Sequence, residues 1–305
     1  MDILVTGASG FIGQDIVRQL VNGNTIYALS RHFSNKINDV NYVENDLLDE
    51  IKIPCSNIDV VIHAAGQAHI VQNDETKPLF YRNNVQATDN ILNTALKLNA
   101  KRFIYLSTVA VTNNDENDYY ASSKKEAENH IVRFCSQHNI PYTIIRPVVV
   151  YGENDIKGNF YKMISQMRKG FFPLVNNGKT KKDILYVRNL SFIISEIIKF
   201  QQFNNQILIA KDNKSLNFKD ICLLIKRDIQ DCKLIPIPLL FINSIASIIS
   251  LCNSIGLKSP NANSIKKLCV DSNFSINSNN QRLLDKNPFS SALGIANTIN
   301  WVINK

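Results

Sequence analysis

Across the first half of the chain, short unbroken apolar runs alternate with longer stretches whose apolar residues recur three and four positions apart. The runs predict strands over Asp2 to Thr6, Thr25 to Ser30, Ile58 to His63, Arg102 to Ser107 and Pro141 to Arg146, with a weaker one around Asn41 to Glu44. Unbroken apolar runs suit strands covered on both faces. The periodic stretches predict helices beginning near Gly10, Thr88 and Tyr120. Strand and helix in alternation predict an α/β fold, a Rossmann-type doubly wound parallel sheet with helices on both faces.

After Arg146-Pro147 the pattern loosens through Tyr151-Gly152 and a Pro-, Asn- and Gly-containing stretch to Gly178. A change of lobe is expected there. Ile184 to Val187 and Gln206 to Ala210 read as strands returning to the sheet, so the lobes are expected to interleave. The first domain then covers 1–151 plus about 184–211, and a smaller C-terminal substrate lobe covers about 152–183 and 212–305. Leu234 to Cys252 is nineteen residues of mostly apolar sequence, near the length of a membrane span. Two prolines at its start and the polar breaks Asn243, Ser244, Ser247 and Ser250 predict a helix packed on the smaller lobe instead of a span.

Composition adds little beyond a globular balance: 45% hydrophobic and 20% charged residues in 305. The net charge of +8 is scattered, with KTKK (Lys179 to Lys182) as the one short cluster. That fits phosphate-bearing ligands and a generic basic surface better than a nucleic-acid partner. The six cysteines form no C-x-x-C pair and have no histidine placed to complete a zinc site, so free thiols, a reducing compartment and no metal are expected. The first residues enter a strand directly and lack a basic-then-apolar secretory layout, which predicts cytoplasmic residence.

Chemistry enters with VTGASGFIG. Gly7, Gly10 and Gly13 follow a strand and open a helix, the context in which glycines form a dinucleotide fingerprint. One glycine makes the turn, one lets a pyrophosphate approach and one lets helix and strand pack, while Phe11 and Ile12 open the helix whose N-terminus faces the anion. The second strand ends Ser30-Arg31-His32, without the acid that NAD sites use to hold the ribose hydroxyls. The forked guanidinium of Arg31 can instead pair with a 2′-phosphate, so NADP is favoured over NAD. Asp46 and Leu47 follow the third strand on the adenine side, and His63-Ala64-Ala65-Gly66, with Gln67 next, follows the fourth.

Tyr120 and Lys124 stand four residues apart, hence on one face of a helix. A tyrosine at its ordinary pKa is a poor base, but a nearby ammonium and a positive nicotinamide ring favour the phenolate, which can then exchange a proton with an alcohol or ketone. Thr108, after the fifth strand, can hold the same substrate oxygen, with neighbouring Ser107 as the fallback and cofactor contact. A Y-x-x-x-K spacing also occurs at surface helix starts. Together with the glycine fingerprint and the LST strand end it points to catalysis.

The segments TGASGFIG, HAAG, LSTVAV, YYASSK and IIRPVVVYG together resemble the extended short-chain dehydrogenase/reductase family, through nearly the whole chain. HAAGQAH, Lys157-Gly158-Asn159-Phe160 and the late VDS before a run ending TINW are similar to the branch of UDP-sugar 4-epimerases and UDP-4-keto-sugar reductases of bacterial surface-polysaccharide synthesis. The resemblance implies Tyr120 as acid/base, Lys124 also bonding the nicotinamide ribose, and Thr108 beside the sugar oxygen. It further implies Asn84 as a buried helix residue near the cofactor, Pro147 and the Tyr151-Gly152 segment bordering nicotinamide and sugar, and Asn159, Phe160 and Gln67 on the nucleotide-sugar. A homodimer is implied through the helices near Thr88 and Tyr120. Asn84 can equally be a satisfied core residue, and Asn159 a helix cap.

Three positions depart from that pattern. Only twelve positions separate Thr108 from Tyr120, Lys182 stands where an arginine for the diphosphate is usual, and Arg188 occupies a commonly acidic position. The expected function is NAD(P)-dependent oxidoreduction at C4 of a UDP-hexose, as 4-keto reductase or 4-epimerase. Arg31 and the shortened loop tilt toward the reductase. The alternative from another class is a non-catalytic NADP(H)-binding module that senses cofactor or docks a partner, whose signature is a broken Tyr/Lys pair.

Overall fold

The computed structural model describes residues 1–240 and 270–305, apart from 69, 114, 116, 230 and 277. The chain forms two compact units, one of Met1–Val148, Val187–Ala210 and Ser278–Pro288, the other of Val149–Tyr186, Lys211–Asn277 and Phe289–Lys305.

The first unit is built on a seven-stranded sheet. Its elements in chain order are β1 (Asp2–Thr6), α1 (Phe11–Leu20), β2 (Thr25–Ser30), β3 (Val40–Glu44) and β4 (Val60–His63). Then follow α2 (Lys77–Tyr81), α3 (Ala87–Lys97), β5 (Arg102–Leu106), α4 (Tyr119–Gln137) and β6 (Tyr142–Pro147). Strand Gln206–Ala210 pairs with β6, giving the order Gln206–Ala210, β6, β5, β4, β1, β2, β3. Every pairing is parallel. The expected doubly wound Rossmann-type fold is therefore present.

β4 and β5 are buried at every position, which is why their sequences read as continuous apolar runs. One face of the sheet packs Leu4, Val61, Phe103 and Ile144 against Ile91 and Leu92 of α3 and Ile131 of α4. Strand order reverses at β1, between β2 and β4, and that is where open α/β sheets leave a crevice at their strand ends.

The second unit holds three two-stranded ladders and the helices Asn159–Met167, Phe218–Asp228 and Ser291–Ile303. The return of Ile184 to Val187 to the main sheet is not what forms. Ile184–Tyr186 pairs in parallel with Val149–Tyr151 in the second unit, while Val187 opens a helix of the first. Its partner Val149–Tyr151 lies just past the end of β6 in the chain. Most of the apolar stretch Leu234 to Cys252 lies outside the described residues, as do Cys252 and Cys269. No helix among the described residues is long and apolar enough to cross a membrane.

Candidate active site

The β1–α1 turn begins at Gly7, whose φ of +67° is the left-handed region that L side chains resist. A Cβ there would lie 2.7 Å from the backbone of Ala65, so the turn after β1 and the turn after β4 sit against each other. Thr6 pairs with His63 in the ladder just before this point. Gly10 precedes the first turn of α1, which carries no acidic residue and whose cap makes no side-chain hydrogen bond. Its first N–H groups thus face the crevice with positive character. Phe11 and Ile12 open the helix half-buried, and Gly13 is buried beneath, where a Cβ would fall 2.1 Å from the Gly7 carbonyl.

A cleft of about 240 Å³ runs across this switch point. Of the residues expected there, Gly7, Gly10, Arg31, Asp46, Leu47, Ala64, Ala65 and Gly66 line it, together with Gln67 from the expected substrate set. The sequence reading missed Ser9, Leu29, Ser30, Asn45, Asn83 and Ala87, which also line it. Ser9, Ser30, Asn45 and Asn83 each adjoin an identified position, so adjacency was the available signal for those four. The Ser9 and Ser30 hydroxyls meet at 2.6 Å, joining the glycine loop to the end of β2. Small side chains, an uncapped helix start and the exposed Arg31 make this cleft fit a dinucleotide.

His63 does not line the cleft. Its ring is fully buried and both nitrogens are engaged, Nδ1 with the Thr6 hydroxyl at 2.6 Å and Nε2 with the Thr88 hydroxyl at 2.9 Å. Because the Thr88 hydroxyl donates to the Asn84 carbonyl at 2.6 Å, Nε2 is the donating nitrogen of His63 and Thr6 donates to Nδ1. Burial, reinforced by the charge of Lys124, brings His63 down to about 3, so the ring is neutral. Its place is under the cleft, where the Thr6 hydroxyl also accepts from Ala65 N–H at 3.3 Å.

Asn84 lies in a π-helical turn, Arg82–Gln86, between α2 and α3. Its carboxamide accepts from Gln67 N–H at 2.7 Å and donates to the Gln67 carbonyl at 3.2 Å and to Ser123 Oγ at 2.9 Å. Its carboxamide is satisfied within the core and ties the turn after β4 to α4, while neighbouring Asn83 lines the cleft.

Helix α4 starts on Asp118, whose side chain caps Ala121 N–H at 3.0 Å, and sets Tyr120 and Lys124 on one face. The Tyr120 phenol lies within electrostatic reach of the Thr108 side chain. From the protein's own groups the phenol stands at about 12: burial raises it, the neighbouring Thr108 side chain pulls it back and the Asp118 charge adds to the rise. The expected help from Lys124 is thus not the leading influence on it. Lys124 is 3% exposed, donates to the Leu106 carbonyl at 2.6 Å and lies 4.1 Å over the Tyr105 ring. Burial draws its ammonium down to about 7, against the nearby Glu128 carboxylate. A Cβ at Gly66 would meet Asn84 Oδ1 at 3.2 Å and Lys124 Nζ at 3.4 Å, so the cleft wall and the Tyr/Lys helix meet at that glycine.

Ser107 is not interchangeable with Thr108: its hydroxyl is buried and donates to Glu128 at 2.6 Å. Pro147 is buried at the end of β6. Asn159, Phe160 and Lys182 belong to the second unit. Asn159 is exposed and is the first residue of its helix, with Gly158 in the cap position. The Phe160 ring is buried against Tyr151, with centroids 4.3 Å apart. The Lys182 ammonium donates to the Val270 carbonyl at 2.6 Å. Among the described residues no group of three or more His, Cys, Asp or Glu could hold a metal.

The model of the NAD dependent epimerase/dehydratase family matches residues 3–209, more than half of the chain. The chain belongs to that family. Among relatives in it, a UDP-glucose 4-epimerase of Vibrio cholerae is 28% identical, the match covering 70% of this chain and 72% of that protein. The N-acetyl-alpha-D-glucosaminyl-diphospho-ditrans,octacis-undecaprenol 4-epimerase of Escherichia coli O157:H7 is 29% identical over 72% and 70% of the two chains. Among solved structures, the UDP-glucuronic acid 4-epimerase of Bacillus cereus in complex with UDP-glucuronic acid and NAD superposes with a TM-score of 0.75 at 17% identity, covering 100% of this chain and 99% of that one. That likeness shows the shared fold.

Proposed function

We propose that the protein is an NAD(P)-dependent oxidoreductase acting at C4 of a UDP-hexose, with the dinucleotide in the first unit and the nucleotide-sugar engaged by the second. The observation that carries this reading is the Tyr120/Lys124 face of α4, whose Lys124 borders the cleft at Gly66. A nicotinamide dinucleotide in that cleft supplies the hydride acceptor and donor. Tyr120 takes the proton of the C4 hydroxyl or returns it to the ketone, Thr108 holds the same oxygen, and Lys124 supplies positive charge beside them. The intact trio argues against a non-catalytic cofactor-sensing module.

The relatives' names support 4-epimerisation. Arg31 at the end of β2, where NAD sites carry an acid, and the short interval from Thr108 to Tyr120 favour the second outcome of the same chemistry, an NADPH-consuming 4-keto reductase. On either outcome the product is a sugar nucleotide for surface-polysaccharide synthesis, and the working form is a homodimer. The test incubates the protein with UDP-hexoses and their 4-keto derivatives while following absorbance of the reduced cofactor and sugar identity. Interconversion of UDP-hexoses without added reductant identifies the epimerase, and NADPH consumption on a 4-keto sugar the reductase. Silence across the panel sinks the proposal.

A further inference from the structure

Glu128 lies one helical turn past Lys124 on the Tyr120 face of α4, and it is 1% exposed. A carboxylate that deep is retained only when its oxygens are paired. Here Oε1 accepts from Ser107 Oγ at 2.6 Å and Arg146 Nε at 2.9 Å, and Oε2 accepts from Arg146 Nη2 at 2.6 Å. Lys125 adds a looser partner at 3.5 Å. Ser107 follows β5 and Arg146 lies in β6, so one side chain fastens the helix to two neighbouring strands at the edge where the cleft opens.

Two consecutive residues at the end of β5 are gripped by two turns of α4. Lys124 takes the Leu106 carbonyl and Glu128 takes the Ser107 hydroxyl, directly before Thr108. The Glu128 grip is the one backed by a bidentate ion pair, the strongest geometry such a tie has. We propose that Glu128 is a positioning residue for the proposed C4 reaction, fixing Thr108 and the Tyr120/Lys124 face in one register through Ser107 and Arg146. A displacement of about 1 Å at such a site lowers turnover by about 100-fold while leaving binding in place.

The test uses the full chain as wild type, Glu128→Gln and Ser107→Ala, measuring kcat, KM, dinucleotide affinity and folded fraction. Glu128→Gln preserves volume and one acceptor while removing the charge that holds Arg146 in a fork. Its kcat per folded molecule is expected to fall by about fivefold or more, reaching roughly 10- to 100-fold, with KM and dinucleotide affinity within about threefold of wild type. A smaller fall, or a loss carried by KM or by dinucleotide release, overturns the proposal. Ser107→Ala leaves the ion pair intact and stays readable if Glu128→Gln does not fold. Its kcat is expected to fall about twofold or more at constant KM, and an unchanged kcat overturns the proposal.

This inference rests on the C4 reading, and the two fail separately. If the wild type is inert on every sugar, that reading falls alone, and positioning is then read from the Tyr120 phenol by near-ultraviolet difference absorbance, with Tyr120→Phe as the blank. Thr108, Asp118 and Tyr105 face that phenol, and none is altered. Glu128→Gln is expected to shift its midpoint by about half a pH unit or more as α4 loosens on β5; an unmoved midpoint overturns the proposal.

Discussion

Tyr120 is a poor base by its own surroundings, since burial holds its phenol near 12. Under the proposed reaction, positive charge brought by a bound oxidised nicotinamide would oppose that burial and favour the phenolate. Replacing Tyr120 by Phe is expected to lower kcat by about 10²–10⁴-fold while dinucleotide affinity stays close to wild type; retained turnover of a processed sugar removes Tyr120 from the chemistry. Arg31 is a separate matter of affinity. Its loss in Arg31→Ala is expected to weaken NADP binding by roughly 10-fold or more, the worth of a charged hydrogen bond, and to leave NAD nearly untouched. Equal losses for both cofactors, in a fluorescence titration, contradict a 2′-phosphate contact. Tyr120, Lys124 and Thr108 were legible because spacing and strand-end position are written in one dimension. Glu128 was not, because a glutamate four residues beyond a lysine reads as an exposed helix pair. Only the fold shows its oxygens turned inward. His63 misled for the opposite reason: it sits in a loop-lining motif, yet a strand's last residue can point down as easily as up.

At the scale of the element, α1 depends on lying almost in contact with the turn before it. Gly13→Ala places a methyl 2.1 Å from a backbone carbonyl that cannot swing away, unlike the tip of a flexible side chain. The expected cost is about 1–3 kcal/mol of stability, with dinucleotide affinity lost alongside, since the same shift moves the anion-facing N–H groups. An unchanged melting temperature and affinity contradict the close packing. Helix starts near Gly10 and Tyr120 were readable to within a residue from apolar periodicity. The helix expected near Thr88 begins earlier and passes through a π turn. The extra residue of that turn leaves no mark on apolar periodicity, and its reason, the Asn84 carboxamide bridging Gln67 and Ser123, spans distant segments.

For the molecule as a whole, the buried chain Thr6, His63, Thr88, Asn84 makes stability depend on pH. His63 stands at about 3 when folded against an ordinary 6.5, so the unfolded chain takes up its proton first. Its contribution is complete above 6.5 and is lost progressively as pH falls from there toward 3. Melting temperatures recorded down that range are expected to drop more steeply for wild type than for His63→Gln, and parallel slopes would remove His63 as the source. Six of the seven strands were legible from alternation alone. The return of Gln206–Ala210 was also legible, but Ile184–Tyr186 was misassigned because two apolar runs of similar length carry no label for which sheet they join. That last strand has a further consequence. Until the ribosome has released residues 206–210, the nascent sheet ends on β6 with an unsheltered row of backbone donors and acceptors, able to recruit any extended segment nearby. Chains cut short between residues 148 and 205 are therefore the ones to aggregate during synthesis, and rescue requires only that the missing strand arrive.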